Sequence, residues 1–75
     1  MKNIFDMMSD NAIGLTGAAF ALAVEREIFK EYLVKEGVLT AEEILLLHYA
    51  ALNKNVKVLR DMLNKINDFM EDNAP

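Results

Sequence analysis

Leu33-Val34-Lys35-Glu36-Gly37-Val38-Leu39-Thr40-Ala41-Glu42-Glu43-Ile44 reads as the end of one helix and the beginning of another. Gly37 stands where a terminating helix needs a left-handed residue, a backbone state that costs nothing without a Cβ, and Val38 is placed to fold back onto Leu33. Three residues on, the Thr40 hydroxyl can accept from the Glu43 amide while the Glu43 carboxylate reaches the Thr40 amide. Leu39 and Ile44 occupy the two staple positions around this box. The stretch therefore predicts a hinge between two amphipathic segments, and every signal in it concerns folding.

Downstream of the hinge, Leu45, Tyr49, Leu52, Val56, Leu59, Leu63, Ile66 and Met70 recur at alternating spacings of four and three. This heptad seam runs through Asn53-Lys54-Asn55 and predicts one helix over 41–71, about 46 Å long, with a kink at 53–55 as the alternative. Val58, Met62 and Phe69 widen the apolar face beyond a two-position seam, which suits a bundle.

Upstream, residues 12–24 are apolar or small on every face, more than one neighbouring helix can cover. Gly14, Gly17, Ala18 and Ala21 align within them as a seam of minimal side chains. Two glycines inside a helix cost about 1 kcal/mol each relative to alanine, so close packing against another backbone is the expected reason for them. Past Val24 the pattern turns amphipathic, with Ile28, Phe29, Tyr32 and Leu33 facing inward, and the first long helix is expected over 11–36.

Residues 1–10 carry Ile4, Phe5 and Met8 on one helical face, with Asn3 able to cap a short turn. Ser9-Asp10-Asn11 then offers a restart with Asp10 or Asn11 as N-cap. This N-terminal segment either extends the first helix or folds over the bundle as a flap. The polar residues 72–75 are expected to fray.

The fold expected is thus all-α and one domain over 1–75: an antiparallel hairpin of two long helices in which 12–24 lies opposite about 53–65. That arrangement leaves 12–24 and 44–52 each with an apolar face uncovered. A chain of 75 residues buries only ~60% of its unfolded surface. A second copy, giving a homodimeric four-helix bundle, would supply the missing cover. Candidate contacts with a second copy or a protein partner are Ile13, Gly14, Gly17, Ala18, Phe20, Ala21, Leu46 and Leu47.

Composition removes several function classes. The formal charge is −4, with 8 Lys+Arg against 12 Asp+Glu and no basic cluster, which argues against nucleic acid. The run 11–24 falls short of the ~20 apolar residues of a membrane span. The apolar N-terminal segment also lacks the basic face that membrane-surface binding needs. With no cysteine there is neither a disulfide framework nor a thiolate metal site, and with no secretory leader pattern the expected location is cytoplasmic.

His48, the single histidine, has only Ile44, Leu45, Ala51 and Leu52 within reach along its own helix, so no acid or second ligand is expected beside it. Glu42 and Glu43 sit where capping and the helix dipole favour carboxylates. Glu25, Glu27, Glu31 and Glu36 lack the Glu-x-x-His partner of a bundle metal site, because Leu45 and Ala51 flank His48 at three residues. No phosphate loop, dinucleotide fingerprint, nucleophile elbow or zinc spacing is present.

The expectation is a non-catalytic helical interaction module, an adaptor, regulator or assembly factor without a cofactor. The alternative is a bundle enclosing a small apolar ligand or a cryptic active-site pocket near His48 and Tyr49.

Overall fold

The computed structural model describes residues 3–73. Among them are a 3₁₀ turn at Ile4–Asp6 and four α-helices, α1 (Asp10–Ala23), α2 (Glu27–Lys35), α3 (Ala41–Leu52) and α4 (Val56–Asp72). The all-helical expectation holds, but the two long helices expected over 11–36 and 41–71 are each divided in two. Unbroken, they would measure about 39 and 46 Å. The molecule spans only 29 × 29 × 16 Å. Folding each segment back lets the chain cover with its own helices much of the apolar surface that a two-helix hairpin leaves open.

The hinge is built as its residues predict. Gly37 is left-handed at φ 73°. The Val38 amide donates to the Leu33 carbonyl at 2.9 Å and the Gly37 amide to the Val34 carbonyl at 3.1 Å, the paired bonds of a Schellman terminus. Leu33, Val38, Leu39 and Ile44 are all buried around it. Thr40 and Glu43 exchange the two capping bonds at 3.0 Å each. Lys65 of α4 also donates to the Glu43 carboxylate, so the start of α3 is tied to the helix that packs on it.

The break between α3 and α4 repeats that terminus without a glycine. Asn53 caps α3, Lys54 takes the left-handed position at φ 53°, and the Asn55 amide donates to the Ala50 carbonyl at 2.9 Å. The Asn55 side chain at once accepts from the Val58 amide, so one residue ends α3 and caps α4. The break between α1 and α2 is different. Tight turns from the Glu25 and Arg26 amides to the Leu22 and Ala23 carbonyls end α1 around the buried Val24, and Arg26 opens α2 with no side-chain cap.

α1 packs against both α3 and α4, and α3 packs against α4. Gly17 meets Leu59, in keeping with the expected pairing of 12–24 with 53–65. One core cluster joins Ile13, Val24, Leu33, Leu39, Ile44, Leu47, Leu59, Leu63 and Ile66. The heptad seam survives only in its C-terminal half. Leu59, Leu63 and Ile66 are buried and Val56 is half-buried, whereas Leu45, Tyr49, Leu52 and Met70 are exposed. Because the turn at Lys54 uncouples the two helices, α3 is free to bury Ile44, Leu47 and Ala50 instead. α2 likewise buries Leu33 and turns Ile28 to solvent, while the Tyr32 ring stands edge-on to Phe69 at 6.1 Å.

The N-terminal segment folds over as a strap. Asn3 caps the 3₁₀ turn by accepting from the Phe5 amide, and Ser9, not Asp10 or Asn11, caps α1 by accepting from the Ala12 amide. Phe5 and Met8 pack against the core cluster. Arg60, Asn64 and Asp68 line one face of α4 beneath the strap. The Arg60 guanidinium donates to the Phe5 and Met8 carbonyls at 2.9 Å each, Asn64 donates to Asp6 at 2.9 Å, and Asp68 accepts from Asn3 at 3.1 Å. At the other end, Asp72 closes α4 and Asn73 donates to the Phe69 carbonyl. Of residues 72–75, expected to fray, Asp72 is instead helical and Asn73 caps the helix, while 74–75 lie outside the described residues.

Candidate functional site

The structure divides the expected contact residues into two groups. Ile13, Gly17, Ala21 and Leu47 are buried inside the chain's own core. They present nothing to a partner, because α4 folds onto α1 and fills that side. Gly17 is the clearest case. A Cβ there would stand 2.6 Å from Leu59 Cδ2, so the notch expected to admit a second backbone or a ligand is occupied by a leucine of the same chain. Phe20 is half-buried against the core. Gly14 is half-buried with nothing within 4 Å of its missing side chain, and Ala18 and Leu46 are exposed.

Gly14 and Ala18 open onto a larger feature. They share a groove with Leu15 on α1 and with Ala51, Lys54 and Val56 across it. A second groove farther along the same helix pair is lined by Val24, Glu25, Ile44, Leu45 and His48. The two linings run α1 antiparallel to α3. Leu15 and Leu22 of α1 and Leu45, Tyr49 and Leu52 of α3 are exposed.

All five of the large residues in this set are 55–78% exposed. Ala18 and Ala19 are exposed between Leu15 and Leu22. The outer surfaces of α1 and α3 therefore expose several large apolar side chains, with Asp10 and Lys54 beside Leu15, Glu25 and Lys30 beside Leu45, and Arg26 and Phe29 sharing a groove with Ala19 and Leu22. Contiguous exposed apolar surface rimmed by polar groups is the mark of an association site rather than of an ordinary solvated helix. Leu15, Leu22, Leu45 and Leu52 were not among the sequence-derived contact candidates. A signal for them exists in the seven-residue spacing within each pair, but assigning Leu45 and Leu52 to a core seam hid it.

His48 has more company than its own helix offers. Its Nδ1 lies 2.9 Å from the Ile44 carbonyl oxygen, an acceptor, so that nitrogen carries the proton. Its Nε2 faces Glu25 Oε1 at 3.8 Å. Glu25 reaches it from the turn between α1 and α2, a contact that separation in sequence conceals. Tyr49 is exposed beside it on the outer face, not enclosed. Among the described residues no three His, Cys, Asp or Glu side chains converge as a metal site, and no helix is long and apolar enough to cross a membrane.

Comparison with protein-family models, with curated proteins and with solved structures returns no match for this chain.

Proposed function

We propose that this protein is a small, non-catalytic helical interaction module that works by presenting the outer face of α1 and α3 to another protein surface, a second copy of itself first of all. The observation that carries the proposal is the exposure of Leu15, Leu22, Leu45, Tyr49 and Leu52 on a pair of helices that bury Ile13, Gly17, Ala21, Ile44, Leu47 and Ala50. Helix-face recognition favours a surface with few charged groups at its centre, and the exposed leucines and Tyr49 of α1 and α3 support that reading.

In this reading the protein acts as an adaptor, regulator or assembly factor, and the cysteine-free composition suits a reducing, cytoplasmic setting. The alternative of an enclosed ligand pocket has less support. The glycine notch is filled by Leu59, His48 is engaged with Ile44 and Glu25, and Tyr49 points outward.

Amide chemical shifts recorded over a dilution series test the proposal. The expected result is concentration-dependent movement confined to α1 residues 14–22 and α3 residues 45–52. Movement centred on the strap or on α4 would contradict it.

A further inference from the structure

The turn between α1 and α2 is held by little of its own. Val24 anchors it by burial. The Glu25 and Arg26 amides donate only to the Leu22 and Ala23 carbonyls of α1, and Arg26 starts α2 without a side-chain cap. Among the described residues one polar side-chain contact ties this turn to the rest of the fold, that between Glu25 and His48 of α3.

The protonation state of His48 decides whether that contact attracts. A neutral imidazole has one N–H and one lone pair. Nδ1 lies 2.9 Å from the Ile44 carbonyl oxygen, which can only accept, so the single proton of the neutral ring sits there. Nε2 then has only a lone pair to offer Glu25 Oε1, 3.8 Å away, and two acceptors face each other. A second proton, on Nε2, makes both ring nitrogens donors. Each then has its acceptor, the Ile44 carbonyl on one side and the Glu25 carboxylate on the other.

Few other charges bear on the pair. Of the side chains lining the groove where they meet, only Glu25 from the turn, Lys30 from α2 and His48 from α3 carry a charge or titrate. On α3 itself Glu43 is engaged by Lys65 of α4 and by the Thr40 amide. The His48 side chain is 29% exposed and that of Glu25 62%, so water screens the pair and its effect is graded.

We propose that His48 and Glu25 form a pH-sensitive clasp that fastens the α1–α2 turn to α3 when His48 is protonated and releases it when the ring is neutral. The clasp also needs Glu25 ionised. It is closed where carboxylate and imidazolium coexist, and it opens as pH rises through the imidazole titration. This goes beyond the interaction-module reading and does not depend on it.

Hydrogen exchange at the Lys30 amide, which donates to the Arg26 carbonyl in the first turn of α2, reads the clasp in the intact chain. Dividing the Glu25→Gln rate by the native rate at each pH removes the intrinsic exchange chemistry, and the change of this ratio with pH isolates the part that depends on His48. The ratio should be roughly two- to fivefold higher at about pH 5 than at about pH 8. A ratio that stays constant overturns the clasp. The same ratio taken in a Lys30→Gln background should keep its pH dependence, and its loss there assigns the effect to Lys30 and overturns the proposal. Ring nitrogen chemical shifts give a second reading on the native chain, with the proton of neutral His48 expected on Nδ1. A neutral ring protonated on Nε2 would donate to Glu25 without a second proton, and would equally overturn it.

Discussion

Gly17 and Leu59 are in contact so close that even a methyl group on the glycine would stand 2.6 Å from Leu59 Cδ2 and 2.8 Å from Cδ1. Leu59 is completely buried within the core cluster, so a shift of its methyl groups disturbs its packing there. Gly17→Ala gains about 1 kcal/mol of helix propensity but incurs an overpacking penalty of about 1–3 kcal/mol, so a net loss of stability is expected. Gly14→Ala meets nothing within 4 Å and should raise stability by up to about 1 kcal/mol. Thermal melts of the two variants, one turn apart on the same helix, check both signs at once.

Lys54 holds a left-handed backbone at φ 53°, where a residue with a Cβ is strained. Lys54→Gly relieves the strain but adds freedom to the unfolded chain, leaving an expected gain of about 0.5–1 kcal/mol. Urea denaturation measures it. A loss of stability in this variant would mean that α3 and α4 are not separated by this terminus.

The Glu43 carboxyl is held below its ordinary range, chiefly by the hydrogen bond from Lys65 and then by that from the Thr40 amide, against a smaller opposing effect of burial. A carboxyl with a depressed folded value adds stability that is fully present above its unfolded pKa and is lost as pH falls through the folded one. Glu43→Gln retains the cap geometry but removes the ion pair, so the variant should be less stable than the native chain at pH 7 and approach it at pH 3. Melting temperatures across that range test the convergence. A gap that stays constant with pH would assign the effect to geometry alone.

Arg60 closes the strap by donating to the Phe5 and Met8 carbonyls and approaches Asp10 at 3.5 Å. Arg60→Met removes these bonds but keeps much of the stem. Faster hydrogen exchange is expected at the Asp6 and Met7 amides, which close the 3₁₀ turn. The Leu63 amide, in the middle of α4, should retain its rank among the slowest. Unaltered exchange at Asp6 and Met7 would show that Phe5 and Met8 hold the strap without the latch.

The helix ends that could be inferred before folding are those with local chemistry. Gly37, Thr40 and Glu43 announce their roles because the atoms involved lie within six residues of one another. The Asn53-Lys54-Asn55 break was legible only as an alternative. The triplet suggested a kink, but the left-handed position is held by a lysine, and a continuous heptad pattern argued for passing through. The break after Val24 has no local mark at all. No glycine, proline or capping side chain stands at 24–26, and the turn follows from the burial of Val24 among residues distant in sequence. The same limit governed the candidate site. Apolar content located the uncovered surface on α1 and α3, but which residues of each helix face outward depends on α4 filling the Gly17 side, and that is a tertiary fact.

Sedimentation equilibrium at micromolar concentration, on the native chain and on Leu22→Glu, tests the central claim most directly. Leu22 is exposed in the monomer and lies on the proposed face, so the substitution leaves the core untouched. The account predicts twice the 8.5 kDa chain mass for the native protein and the single-chain mass for the well-folded variant. A native chain that sediments as a folded monomer, or a Leu22→Glu variant that dimerises as tightly as the native one, would contradict it.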